Sequence, residues 1–92
     1  MFLFLDDCFD NETDYYAGGD IGHFSDIQSP EDCQVECQSD PRCEYWTYAH
    51  YDHANPAKTC YFKSSKGQVN QDNIFTSGPK YCQGNMKTRK EF

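Results

Sequence analysis

Ninety-two residues with a formal net charge of −7 make one small domain, too acidic to seek nucleic acid or an anionic membrane. Six cysteines, with no Cys-x-x-Cys pair, point to a secreted disulfide scaffold and away from the cytosol. Leu3, Leu5, Val35 and Val69 are the whole supply of Leu and Val, so seven Tyr, seven Phe, Trp46 and the cysteines must build the core.

The chain opens with Met1-Phe2-Leu3-Phe4-Leu5, too short for a signal-peptide core or a membrane span. It reads as a module of a longer secreted chain, with residues 1–7 an N-terminal tail and no membrane insertion. Charge is unevenly spread. Residues 1–46 hold 12 acidic side chains against one basic, or −11; residues 47–92 hold 3 against 7, or +4. Solvated surface is the plain reading of that asymmetry.

Residues 6–16 are acidic and end in Tyr15-Tyr16. Asp10, Glu12 and Asp14 alternate like the start of a calcium loop. Tyr15 stands where such a loop needs glycine, and no helices flank it, so no metal is expected. Asn11-Glu12-Thr13 is an N-glycosylation triplet. Gly18-Gly19 turns into a strand around Ile21, His23 and Phe24, with Ile21 and His23 on one face.

The stretch from Ser29 to Cys43 predicts one helix over about 30–39. Ser29 is a good N-cap and Pro30 suits the first helical position. Glu31 and Asp32 place negative charge where the helix dipole favours it. Asp40-Pro41 ends the helix. Cys33 and Cys37 are spaced i, i+4 and share a face; Val35 lies on another. So short a helix needs outside attachment.

Glu44 to His50 is aromatic and β-branched and predicts a strand, with Trp46 and Tyr48 on one face. Tyr51 to Lys58 reads as a loop. Thr59 to Lys63 predicts a second strand, antiparallel to the first, with Cys60 and Phe62 facing together. Residues 64–73 look polar and mobile. Ile74-Phe75 resumes order, and Ser77-Gly78-Pro79 reads as a turn into a last short strand ending at Cys82. Residues 83–92 carry no apolar pattern and predict a disordered tail. The expected folded unit is 8–82, an α+β arrangement with one helix against an antiparallel sheet.

Six cysteines allow 15 pairings, and spacing alone does not choose. Position narrows the field. Cys37 and Cys43 flank the helix stop, where a short bridge would lock the turn. Cys33 could reach Cys60 on a core strand. Cys8 and Cys82 would then join the two ends, a closure worth about 4.5 kcal/mol in the chain-entropy model.

Five segments together resemble a PAN/apple module. They are Gly-Gly-Asp-Ile (18–21), Ser-Pro-Glu-Asp-Cys-Gln-Val-Glu-Cys (29–37), Cys-Glu-Tyr-Trp-Thr-Tyr (43–48), Cys-Tyr-Phe-Lys-Ser-Ser (60–65) and Ser-Gly-Pro-Lys-Tyr-Cys (77–82). The ending is most like the apple repeats of microneme adhesins from apicomplexan parasites of the Eimeria type. The resemblance implies a five-stranded antiparallel sheet cradling one helix. It also implies first–sixth, second–fifth and third–fourth cysteine pairing, in agreement with position. It further implies a secreted adhesion module, stored in a secretory organelle, one of several in a host-cell attachment protein. Such modules bind proteins or carbohydrates and are not catalysts.

The remaining candidates carry less. Cys33-x3-Cys37 with His50 and His53 has zinc-like spacing, but the other cysteines are scattered singly, so disulfides are expected and no cofactor. His23, His50 and His53 lack any nucleophile context, so no enzyme is expected. Trp46 and Tyr48 belong in the core. Tyr45, Tyr51 and Tyr61 fall on the opposite face or in loops and are the better binding candidates, with Lys58 and Lys63 close to Tyr61 as basic partners. The leading reading is adhesion to a host-cell or partner protein surface, or to a glycan, beside other modules of the same chain. The alternatives are a lectin-like module and, more distantly, a disulfide-rich protease inhibitor.

Overall fold

The computed structural model describes residues 8–50 and 58–82. The expected tails at 1–7 and 83–92, and Tyr51 and His53 in the expected loop, lie outside the described residues.

Among the described residues, five strands and one helix follow in the order β1 (Asp10–Asp14), β2 (Asp20–Phe24), α1 (Pro30–Gln38), β3 (Tyr45–Ala49), β4 (Thr59–Lys63) and β5 (Asn70–Pro79). The strands form one sheet ordered β1-β5-β3-β4-β2, antiparallel throughout. The helix packs across β3, β4 and β5. This is the expected α+β fold with one helix.

Local chemistry sets the helix as read. The Ser29 hydroxyl accepts from the Asp32 N–H at 3.1 Å, and Pro30 sits in the first turn. After Ser39, the Asp40 carboxylate accepts from the Arg42 N–H at 2.9 Å and the Asp40 carbonyl from the Cys43 N–H at 3.0 Å. That turn delivers Cys43 back to Cys37.

Cys33, Cys37, Cys43, Trp46, Tyr48, Cys60 and Phe62 form the core, with Phe9, Ile21 and Ile27 against it. The bridges are Cys8–Cys82, Cys33–Cys60 and Cys37–Cys43, with Cα separations of 5.6, 5.4 and 5.4 Å. The helix has a second attachment that cysteine positions do not reveal. Gln34 donates to the Pro79 carbonyl at 3.2 Å and Gln38 to the Lys80 carbonyl at 3.0 Å. Two side-chain amides thus tie α1 to the end of β5.

Trp46 is fully buried and explains the neighbouring glycine. Its indole N–H donates to the Pro79 carbonyl at 2.8 Å, and Phe9 meets the ring edge-on at 4.8 Å. Gly78 lies directly across on β5, where an added Cβ would come within 2.6 Å of the indole. Gly78-Pro79 is therefore the end of a strand under a tryptophan, not a turn into one.

Three other expectations change. The acidic segment 6–16, to which sequence reading assigns no element, contains β1. Residues 70–73, read as mobile, begin β5 and pair with it: Thr13 lies opposite Gln71 and Asp14 opposite Asn70. Their side chains are poor strand formers, but the pairing is polar against polar and broken by a bulge at Glu12, whose φ is +56°. Finally, Ile21 and His23 do not share a face. A bulge between Asp20 and Gly22 resets the alternation, so Ile21 packs on the core while His23 lies opposite Tyr61.

Candidate functional site

The face of the sheet away from the helix gathers the side chains of interest. Alternation puts Tyr45, Thr47 and Ala49 of β3 there, with Thr59, Tyr61 and Lys63 of β4. Register sets Tyr45 opposite Lys63 and Thr47 opposite Tyr61, while β2 brings Asp20 opposite Lys63 and His23 opposite Tyr61.

Lys63 is the hinge of this arrangement. Its side chain is 6% exposed, and its ammonium lies 2.7 Å from the Asp20 carboxylate, which is 59% exposed. The same ammonium stands 5.8 Å from the Tyr61 ring centre. Lys63 is thus a buried positioning charge and not a solvated one. Asp14 shares its field. Burial raises the Asp14 carboxyl above its ordinary range, Lys63 opposes that, and Asp72 and Asp20 add to the rise.

Beside the ion pair, Tyr15 is buried, with its ring centre 5.8 Å from that of Tyr45 in an edge-to-face contact and the Lys66 ammonium 5.4 Å from its ring centre. Its hydroxyl donates to the Asp10 carboxylate. Burial first, and then that bond, push the Tyr15 phenol well above its ordinary range. The Tyr15 N–H donates to Thr47 Oγ1 at 3.3 Å, the Thr47 and Ser77 hydroxyls are 2.7 Å apart, and Ser77 donates to the Thr13 carbonyl at 2.8 Å. Ser77 has spent its one proton on Thr13, so Thr47 donates to Ser77. A continuous hydroxyl relay therefore ties β1 through β5 to β3. Among the described residues, no buried side-chain nitrogen or oxygen lacks a partner.

One end of this face opens into a shallow groove of about 400 Å³, lined by Glu44, Tyr45, Pro79, Lys80 and Tyr81. Tyr45 belongs to both groove and face. The Lys80 ammonium donates one hydrogen bond to the Asp40 carbonyl at 3.0 Å, and Tyr45, Tyr81 and the exposed Glu44 line the groove beside it.

Of the five candidate binding residues, the fold brings three together: Tyr45, Tyr61 and Lys63. Lys58 stands apart. It precedes β4 at the other end of the strand, exposed, with φ +61°, its N–H donating to Ala49 and its carbonyl accepting from Ile27. Tyr51 lies outside the described residues. Sequence reasoning passed over Asp20, Tyr15 and Tyr81. Tyr15 carried a usable clue, since Thr13 and Tyr15 alternate with the acidic Glu12 and Asp14; Asp20 carried none, because its partner is 43 positions away in sequence. His50, weighed for zinc and for catalysis, is bonded through Nε2 to Thr76 Oγ1 at 2.7 Å. Among the described residues, no three His, Cys, Asp or Glu side chains are grouped to hold a metal ion.

Comparison with known proteins adds three findings. A family model described as PAN domain matches residues 13–63, which include β3, β4 and the helix. Micronemal protein 4 of Toxoplasma gondii is 30% identical over 89 residues, covering 91% of this chain and 14% of that protein. The solution structure of the two N-terminal apple domains of Toxoplasma gondii microneme protein 4 superposes with a TM-score of 0.61 at 32% identity, over 83% of this chain and 47% of that one. The chain thus spans about a seventh of the curated relative and about half of the solved pair of domains.

Proposed function

The chain belongs to the PAN domain family, and from that premise we propose that it is a secreted adhesion module which docks on host-cell or partner protein surfaces, or on their glycans. The supporting observation is the family match across residues 13–63, the stretch that carries Tyr45, Tyr61 and the Lys63–Asp20 pair. Three disulfides and a microneme relative support a secretory route. Storage in a microneme, tandem copies and a part in host-cell invasion extend the same reading.

The contact surface in this proposal is the face away from the helix. Half-buried tyrosines give large, stiff contact area with a polar tip, which suits proteins and sugars alike. Lys63 holds Asp20 and steadies Tyr61, so the charge a partner meets there is the Asp20 carboxylate. Lys58 would join only a partner long enough to follow β4 end to end. No catalysis is proposed. One module is expected to bind weakly, and linked copies to gain through effective concentration.

The test is a Tyr45→Ala/Tyr61→Ala variant, checked for three bridges and parental melting, then presented as a multimer to host-cell surfaces with and without prior deglycosylation. A loss of binding of tenfold or more is expected. Parental binding by the folded variant would move the contact off this face. Binding that disappears on deglycosylated cells identifies a glycan partner.

A further inference from the structure

A five-stranded open sheet has two edges, and here they are β1 and β2. Edge strands expose unpaired N–H and C=O groups that invite pairing with another chain, and secreted proteins commonly blunt them. Within β1 stands Asn11-Glu12-Thr13, the one Asn-x-Ser/Thr triplet in the 92 residues.

The fold exposes Asn11 and Glu12 and buries Thr13. Asn11 is exposed, and among the described residues its side-chain amide enters no hydrogen bond. The backbone leaves the regular ladder immediately after it, at the bulge where Glu12 takes φ +56°. The Thr13 hydroxyl donates to the Asn11 carbonyl at 2.9 Å, so it closes on the triplet's own backbone and on nothing else. A glycan on Asn11 Nδ2 would displace no contact of the folded domain and would stand over the outer strand.

We propose that Asn11 is an acceptor for an N-linked glycan, and that this glycan shields the β1 edge from strand pairing while the β2 edge stays open. The inference rests on the secretory route of the reading above. The bond formed is an N-glycosidic link from the Asn11 amide nitrogen to the sugar anomeric carbon, with lipid pyrophosphate leaving from the donor and the amide proton lost.

The chain, fused to a secretory leader and released from a eukaryotic cell, answers this by intact mass. The wild type is expected to carry one glycan, removed by peptide-N-glycosidase with Asn11 converted to Asp. That mass increment should be absent from Asn11→Gln and retained in Thr13→Ser. Because the leader imposes secretion, an unmodified Asn11 in a fully bridged wild-type chain overturns the proposal without touching the adhesion reading. Sedimentation of glycosylated and enzymatically deglycosylated protein tests the shielding: the stripped form is expected to self-associate at lower concentration. Equal self-association overturns the shielding half.

Discussion

On one side of the sheet, Trp46, Tyr48, Cys60 and Phe62 meet Cys33 and Cys37 of the helix. On the other, Thr47, Ser77 and Tyr15 share hydrogen bonds, and Lys63 meets Asp20. The first side is held by aromatic burial and covalent bridges, which neither salt nor moderate pH disturbs. The second is held by a hydroxyl relay and an ion pair, whose strength depends on both. A domain poor in leucine and valine thus concentrates its stability on the helix side and leaves the opposite face chemically varied. In the proposed function, that division sets Tyr45, Tyr61 and Asp20 on the face a partner would meet.

If the division is right, the largest losses come from the helix side. A Cys33→Ala/Cys60→Ala variant should lose about 2–5 kcal/mol in urea unfolding. It should stop short of releasing the helix, because Gln34 and Gln38 still reach the end of β5. Hydrogen exchange that shows α1 unprotected in an otherwise folded variant would deny the glutamines that role.

Next comes Gly78→Ala. Its Cβ would lie 2.6 Å from the Trp46 ring, an overpacking that typically costs about 1–3 kcal/mol. A melting temperature equal to the parent's would mean that the indole can shift, and the helix side would be softer than described.

Across the sheet the effects should be smaller and unequal. Asp20→Ala leaves the Lys63 ammonium buried without its partner, whereas Lys63→Met leaves an Asp20 that water already reaches. Removing one partner of a fully buried pair costs about 3–5 kcal/mol; with Asp20 more than half exposed, the expected loss is about 1–2 kcal/mol after screening. Lys63→Met should lie within about 1 kcal/mol of the parent. Equal losses in urea titrations would make the pair an ordinary surface contact.

How much of this was legible follows the same boundary. The helix side was written locally: Ser29 and Pro30 set the helix start, Asp40-Pro41 the stop, and Glu44–His50 and Thr59–Lys63 carry aromatic and β-branched strand formers. The opposite face depends on partners far apart in sequence. Asp-Asn-Glu-Thr-Asp becomes a strand because β5 lies beside it, with Asn70, Gln71, Thr76 and Ser77 as partners, and the buried Lys63 finds its counter-charge in Asp20 from β2. A one-residue bulge at Asp20–Gly22, invisible to a period-two reading, decides which of Ile21 and His23 faces the core.

The smallest effects are those of pH. Burial raises the folded Asp14 carboxyl, so the folded state holds that proton more tightly than the unfolded chain does. Its contribution is favourable below the ordinary value of 3.8 and is lost as pH rises through the folded value. Asp14→Asn should therefore melt slightly above the parent at neutral pH and level with it near pH 3. Tyr15 and Tyr48 shift in the same direction at the alkaline end, Tyr48 chiefly through burial. Stability should be whole below their ordinary value of 10.0 and decline as pH rises past it. A Tyr15→Phe variant should lose part of that alkaline decline in melting curves. An unchanged profile would remove Tyr15 from the account.

If the proposed adhesion places the chain under tension, Cys8–Cys82 decides where the pull goes. The two Cα atoms are 5.6 Å apart while 74 positions separate them in sequence. A load applied on either side of the bridged pair passes straight through the bond, and the sheet and helix between hang beside the line of force. Unfolding the enclosed segment then adds no length to the tether. Reduction of that bond would release roughly 250 Å of extended chain per module, at about 3.3–3.6 Å per residue. Oxidised, the module is a short, inextensible link.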